Sequence, residues 1–329
     1  MRCFEALLLV LGTGCAAPLH DDGEAIGAAD AAPSLPLARG CLPFQGVASQ
    51  VSGAIRSVAV DGGTVFVVDD AVIAGEDVAA VALTSTSPAL TDCLASAVPS
   101  SPPVSTLPSL VAPRAAVTID GTISLFYETL GSGFGVTRLG VAPGVALWTS
   151  DRPSYGTAAV VQAATVYVYG CLGTGYLSDD CYVARAPADG IASESAYEYY
   201  VGGGRWSASV DDAWPMVGGG GEMDVTWLAS RNRWLMAYVT PLGTTITLRS
   251  GLSPEGPWSA PIEAATCDLA DADMFCAGVH FHPSVVASGD AVALSYSVSS
   301  LSSDVAMRRT ADPLAWWPRI FALTIPPLP

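Results

Sequence analysis

Five segments of this chain share one layout: a short apolar strand, a turn, and a second apolar strand that usually ends in an aromatic residue. They are SVAVDGGTVFVVDD (57–70), AAVTIDGTISLFYE (115–128), AAVVQAATVYVYG (158–170), MDVTWLASRNRWLMAYV (223–239) and PSVVASGDAVALSYS (283–297). Each alternates with period two around a central Gly, Asp, Ala or Asn turn, the signature of a hairpin. A third strand is expected after each hairpin, with an arginine near its end in four units: Arg138, Arg185, Arg249 and Arg308. The units then close near Trp148, Trp206, Trp258 and Trp316. Tyr127, Tyr169, Tyr238 and Tyr296 recur at intervals of 42, 69 and 58 residues. A period of tens of residues marks a propeller or another repeat array, and three or four antiparallel strands per unit fit a propeller blade. The expected fold is all-β, a single-domain five-bladed β-propeller over residues 41–329. Val98 to Pro113, rich in Pro and Ser, reads as a loop between blades.

Composition agrees. Half the residues are hydrophobic, enough for a large core, while 33 Gly and 24 Pro supply turns. No internal stretch reaches the ~18 consecutive apolar residues of a membrane span. The formal net charge is -17, and all 14 basic residues are arginine. An acidic surface repels phosphate backbones, so nucleic acid is not an expected partner. Without lysine there is no Walker A loop, Schiff-base lysine or kinase lysine. The sequence also lacks a G-x-S-x-G elbow, an H-E-x-x-H pair and a dinucleotide-binding glycine fingerprint.

The first fifteen residues, MRCFEALLLVLGTGC, place Arg2 before a short apolar run, then small residues, then Cys15. This is a signal-peptide layout over residues 1–14. The small residues before Cys15 resemble a bacterial lipobox, which makes Cys15 the candidate lipidated N-terminus. Residues 15–40 read as a flexible tether. The expectation is an exported, monomeric lipoprotein held at the cell envelope only by its lipid, with plain secretion as the alternative.

Setting aside Cys3 and Cys15 leaves six cysteines, an even number that favours disulfides in an exported chain. Cys171 and Cys181 flank one short loop and Cys267 and Cys276 another, which leaves Cys41 for Cys93. Metal binding competes with this reading, but no C-x-x-C spacing exists.

Units three to five carry a family resemblance. YGTAAVVQAATVYVYG, YVARAPADGIASESAYEYYVGGGRW, GEMDVTWLASRNRWLMAYV, TLRSGLSPEGPWSAPI and HFHPSVVASGDAVALSYS resemble the bacterial domain-of-unknown-function family 4185. That family is similar to the five-bladed glycoside hydrolases of the arabinanase and xylosidase type. The resemblance implies that the chain binds or cleaves an extracellular polysaccharide, an arabinan-like furanoside. It spans about residues 50–325 and is weaker in the first two units. There the family's opening Asp-Gly-Ala-Tyr-Ser segment is replaced by Ser52-Gly53-Ala54-Ile55-Arg56-Ser57. Ser52 stands where an aspartate is expected, while Asp70 matches the aspartate of the following turn.

Propeller geometry places the site. The start of each first strand and the end of each second strand meet on one face. Ser52 and Asp70, Arg114 and Glu128, Tyr155, Glu222 and Asp224, and His280 and His282 fall there. Glycoside hydrolysis uses two carboxylates across the scissile bond, so Asp70, Glu222 and Asp224 are the catalytic candidates. Glu222 and Asp224 are two apart and share one side of a strand. Arg114, Glu128, Tyr155, His280 and His282 are the candidate glycan contacts in the central funnel. A structural role competes for His282, and a solvated loop end for the two acids. Two histidines at i, i+2 can chelate a metal, but the remaining one is His20 in the tether, so no metal or cofactor is expected. Asp268, Asp271 and Asp273 read as a solvated loop, and Gly218 to Gly221 as a flexible one. A non-catalytic glycan-binding or interaction propeller is the alternative to an enzyme.

Overall fold

The computed structural model describes residues 35–328 except 46, 52, 74–75, 87, 100–110, 130, 176–177 and 288–289. Side chains of residues 70, 72, 73, 76–81, 99 and 175 are likewise outside the description. The signal peptide, Cys15 and most of the expected tether therefore lie outside the described residues.

The chain is all-β. Strand β1 (Leu37–Ala38) opens it, followed by five sheets in chain order. The first sheet holds β2 (Gln50–Val51), β3 (Ile55–Val60), β4 (Gly63–Ile73), β5 (Glu76–Ser85) and β6 (Val98–Pro99). The second holds β7 (Val111–Ile119), β8 (Thr122–Thr129) and β9 (Gly133–Arg138). The third holds β10 (Ala158–Gln162), β11 (Thr165–Gly175), β12 (Ser178–Pro187), β13 (Glu198–Tyr200), β14 (Trp206–Ser207) and β15 (Val217–Gly219). The fourth holds β16 (Glu222–Leu228), β17 (Arg233–Val239), β18 (Thr245–Gly251) and β19 (Ile262–Cys267), with β1 added in parallel to β19. The fifth holds β20 (Met274–Phe281), β21 (Ala291–Ser300) and β22 (Arg319–Thr324), with helix α1 (Val305–Ala311) between the last two.

Four hairpins form at the expected turns; in the fifth, the first strand is β20, ahead of Pro283, and residues 283–287 lie in the connection to β21 instead of forming the expected strand. Their first strands pack in a cycle: β3 on β7, β7 on β10, β10 on β16, β16 on β20, and β20 on β3. The core lies between successive sheets. One cluster joins the second and third through Phe126, Val166 and Tyr199, another the third and fourth through Tyr169, Val225 and Met236. A third joins the fourth and fifth through Leu248, Phe281 and Tyr296, and a fourth joins the fifth and first through Ala293, Ile320 and Phe66. Second strands are covered on both faces, so β17 is buried almost continuously, whereas β7 alternates.

The recurrent tyrosines fasten each unit to other backbone. Tyr127 Oη donates to Gly144 O at 3.1 Å, Tyr169 Oη to Pro254 O at 2.9 Å and Tyr296 Oη to Ala38 O at 3.1 Å. Tyr238 Oη instead accepts from Arg249 Nε at 3.1 Å. The tryptophans close sheet edges: Trp148 bridges Phe134, Trp258 bridges Gly251, and Trp206 lies in β14.

Four further details differ from the sequence reading. Ordered chain begins before Cys41, because Leu37 and Ala38 pair with Thr266 and Cys267. Val98–Pro99 and Val111–Pro113, expected in a loop, are strand. Arg308 lies in α1 rather than a third strand, since Ala, Met and Arg favour helix and Thr310 Oγ1 donates to Ala306 O within it. The third strand of that unit is β22, after Trp316 and Trp317.

The three disulfides pair as expected: Cys41–Cys93, Cys171–Cys181 and Cys267–Cys276, with Cα–Cα distances of 5.9, 4.0 and 6.3 Å. Cys41 also exchanges backbone hydrogen bonds with Ile320 of the fifth sheet. Its disulfide to Cys93, which follows the first sheet's β5, therefore staples the last sheet to the first. No described helix is long and apolar enough to cross a membrane.

Candidate functional site

The starts of β3, β7 and β16 and the second half of β20 converge on one layer of charge. Arg114 sits at the register shift between Pro113 and Ala115 in β7. Its guanidinium donates to both Glu128 and Glu222: Nε to Glu128 Oε2 at 3.0 Å, Nη2 to the same oxygen, and Nη1 to Glu222 Oε1 at 3.1 Å. The second Glu222 oxygen accepts the Gly278 N–H at 2.5 Å. Gly278 has φ +55°, and a Cβ there would lie 2.7 Å from Ser297 Oγ, so glycine lets the amide reach Glu222. Burial pushes the Glu222 carboxyl up, but Arg114, His280 and Arg56 together pull it below its ordinary value. Arg114 moves the other way: burial lowers it, and Glu222 and Glu128 more than restore it. The pair is thus an ion pair held in its charged form.

Asp224, two residues on, accepts from Val225 N and Phe281 N, both at 2.8 Å, and lies 3.7 Å from His280 Nδ1. Arg56, nearly fully buried, donates to Asp69 Oδ2 at 2.8 Å and to the Arg114 carbonyl. Asp69 is the acid that sequence reasoning missed. Burial raises its pKa despite Arg56, and its Oδ1 is buried with no partner among the described residues. The signal was its parity in β4: Arg56 and Asp69 face the same layer, and the Asp69-Asp70 doublet left the choice open. Asp70 belongs to β4, but its side chain lies outside the described residues, as does all of Ser52.

Arg114, Glu128, Glu222, Asp224 and His280 are thus brought together, and Arg56 and Asp69 join them. Two other candidates are elsewhere. Tyr155 is fully buried in the core between the second and third sheets, 5.1 Å from the Trp148 ring and 5.6 Å from Tyr199. His282 is fully buried, with Nδ1 bonded to Ser57 Oγ and Nε2 to Ser295 Oγ, both at 2.8 Å. Burial and the neighbouring His280 charge lower its pKa to about 3. With both ring nitrogens occupied, it ties β3 to the fifth sheet and offers a glycan nothing.

The four glycines before Glu222 are not a loose loop. Val217–Gly219 pair with β12, and a Cβ on Gly220 would fall 2.0 Å from Val239 O. On Gly221 it would fall 2.6 Å from Asp179 Oδ2. The run is small because other chain segments pass close. Arg308 braces the acidic loop by pairing with both Asp271 and Asp273, at 2.6 and 2.5 Å. No cluster of three metal-ligating side chains occurs among the described residues.

An axial cavity of about 380 Å³ touches all five first strands and reaches Arg56, Asp224 and His280. A second recess of about 380 Å³ opens beside Glu222 and Asp179.

A family model described as "Domain of unknown function (DUF4185)" matches residues 140–305. No curated protein matches the sequence. Solved structures match by fold. A "putative hydrolase" from Bacteroides ovatus ATCC 8483 superposes with a TM-score of 0.61 at 11% identity, covering 85% of this chain and 87% of its own. A GH43_1 enzyme from Xanthomonas citri complexed with xylose gives 0.52 at 14% identity, with 84% and 88% covered. CoXyl43, a GH43 β-xylosidase/α-arabinofuranosidase from a compost metagenome, gives 0.52 at 13% identity, with 86% and 94% covered.

Proposed function

The chain belongs to the DUF4185 family, and on that footing we propose that it is a five-bladed β-propeller that holds an extracellular polysaccharide at the charged layer without cleaving it. The carrying observation is Arg114. It pairs with both Glu128 and Glu222 and favours the charged form of Glu222, which therefore does not stand ready to protonate a leaving group. Both remain acceptors for sugar hydroxyls, and about two-fifths of the Glu222 side chain is exposed. The cyclic packing of the first strands supports the five-bladed reading. The sugars bound by structural neighbours support a glycan ligand, and the resemblance of units three to five points to an arabinan-like furanoside. Export fits the three disulfides, which persist in oxidising compartments. Lipidation at Cys15 rests on the sequence alone.

The test is a panel of neutral and acidic polysaccharides, assayed for binding by affinity electrophoresis and for released reducing ends. Binding without release is expected, and Glu222→Gln should weaken it. Release of sugar would replace this reading with hydrolysis, and no binding by any polymer would leave an interaction propeller.

A further inference from the structure

The axial cavity continues beyond the charged layer. Arg56 and Asp224 lie near the starts of β3 and β16; Ala59, Thr118 and Trp227 lie near the ends of β3, β7 and β16. All five line the same cavity, so it has a charged end and an opposite mouth. Its volume of about 380 Å³ lies within the range of about 300–1,000 Å³ usual for ligand sites. Small walls keep it open, with Ser57, Ala59, Ala116, Thr118 and Ala159 around it.

Two features at the mouth point to a ligand. Trp227 is 41% exposed and leans on Trp234, with ring centroids 5.3 Å apart. Trp234 also lines the cavity, yet its Nε1–H is buried with no acceptor among the described residues. Buried donors normally find a partner, and this one lacks it where the cavity passes. An exposed indole beside an unmet donor suits a molecule with an apolar face and oxygen acceptors. The charged end adds polar groups without favouring either charge. Arg56 is already paired with Asp69, and Asp224 lies beside His280.

We propose that the axial channel is a second sugar site, entered from the face opposite the charged layer, holding one neutral sugar unit against Trp227. The ligand class rests on the carbohydrate reading above; the site itself rests on the cavity. A ring face would stack on the indole and a hydroxyl oxygen would accept from Trp234 Nε1.

The test uses D-xylose, L-arabinose and D-glucose as probes, followed by saturation-transfer NMR and intrinsic fluorescence on the intact protein. At least one sugar should bind saturably. Trp227→Ala should weaken that binding about tenfold, a change of about 1.4 kcal/mol. Thr118→Phe, which fills the channel, should abolish it with an unchanged unfolding midpoint, and Ala59→Phe serves if that variant misfolds. Glu222→Gln should weaken polysaccharide binding at the charged layer and leave monosaccharide binding unchanged. Absence of saturable binding by all three sugars overturns the proposal, as does undiminished binding in a folded channel-filled variant. Loss of monosaccharide binding in Glu222→Gln places the sugar at the charged layer and overturns it too. Monosaccharide binding by the unsubstituted protein with no polysaccharide binding would count against the first reading and not this one.

Discussion

The first two sheets and the last three contribute differently to the charged layer. The family model covers residues 140–305, which supply Glu222, Asp224, Gly278 and His280. The earlier sheets supply Arg56, Asp69, Arg114 and Glu128. Both arginines of the layer thus come from the part the family model does not match, and Arg114 reaches across to bind the Glu222 of the matched part. The acids are the common feature of both halves; the arginines come from one. The same layer can be an acid–base site or a neutralised binding surface, depending on what the first two sheets place opposite Glu222.

Removing the cation should be the most damaging way to break that comparison. Arg114→Ala leaves Glu128 and Glu222 facing each other without compensation. For a partly buried network we expect a loss of roughly 2–4 kcal/mol by urea unfolding, with polysaccharide binding lost as well. A near-neutral outcome would make Arg114 an ornament of the rim. The disulfide at the seam is next. Cys41→Ser with Cys93→Ser opens a link spanning 52 residues, and the expected cost is about 2–4 kcal/mol. If it costs nothing, packing of Phe44 and Trp317 alone joins the fifth sheet to the first.

The matched half can be tested through its backbone. Gly220→Ala puts a Cβ against the Val239 carbonyl, which cannot swing aside, and should cost about 1–3 kcal/mol. Gly221→Ala meets only the Asp179 carboxylate, which can move, and should cost less. Equal losses in thermal denaturation would refute the close-approach account. The smallest effect near neutral pH is that of His282, which ties β3 of the first sheet to the fifth. Its folded pKa of about 3 is below the ordinary 6.5. Its stabilising contribution is therefore present above pH ~6.5 and lost as pH falls toward 3, where the unfolded chain takes up a proton that the folded one refuses. Unfolding measured from pH 7 to 4 should steepen on the acid side, and His282→Asn should flatten that slope. An unchanged slope would show that other groups govern acid stability.

Much of the fold was legible because its causes are local. Period-two patterns and turn residues mark four hairpins and the second strand of the fifth, and the tyrosines and tryptophans fall where the sequence repeats them. Short loops were enough to pair Cys171 with Cys181 and Cys267 with Cys276. Helix α1 was misread because its seven residues follow the same arginine spacing as the third strands. The site was legible in part. Arg114, Glu128, Glu222, Asp224 and His280 were placed by strand position alone, since the starts and ends of strands must meet on one face. Asp69 and Arg56 were not, because side-chain direction within a strand depends on a register that pattern sets only to within one residue. Tyr155 and His282 were not, because they lie just outside strands, before β10 and after β20, where the strand pattern says nothing of direction.

By itself, then, the sequence determined the all-β hairpin units and their order, and it excluded lysine-dependent chemistry. It also brought five of the site's side chains to one end. Only the tertiary structure decided how those charges pair. Arg114 and Glu222 are 108 residues apart, and no local pattern links them. Their ion pair exists because β7 and β16 both pack on β10 of the intervening sheet, and that long-range placement is set by the core between the sheets.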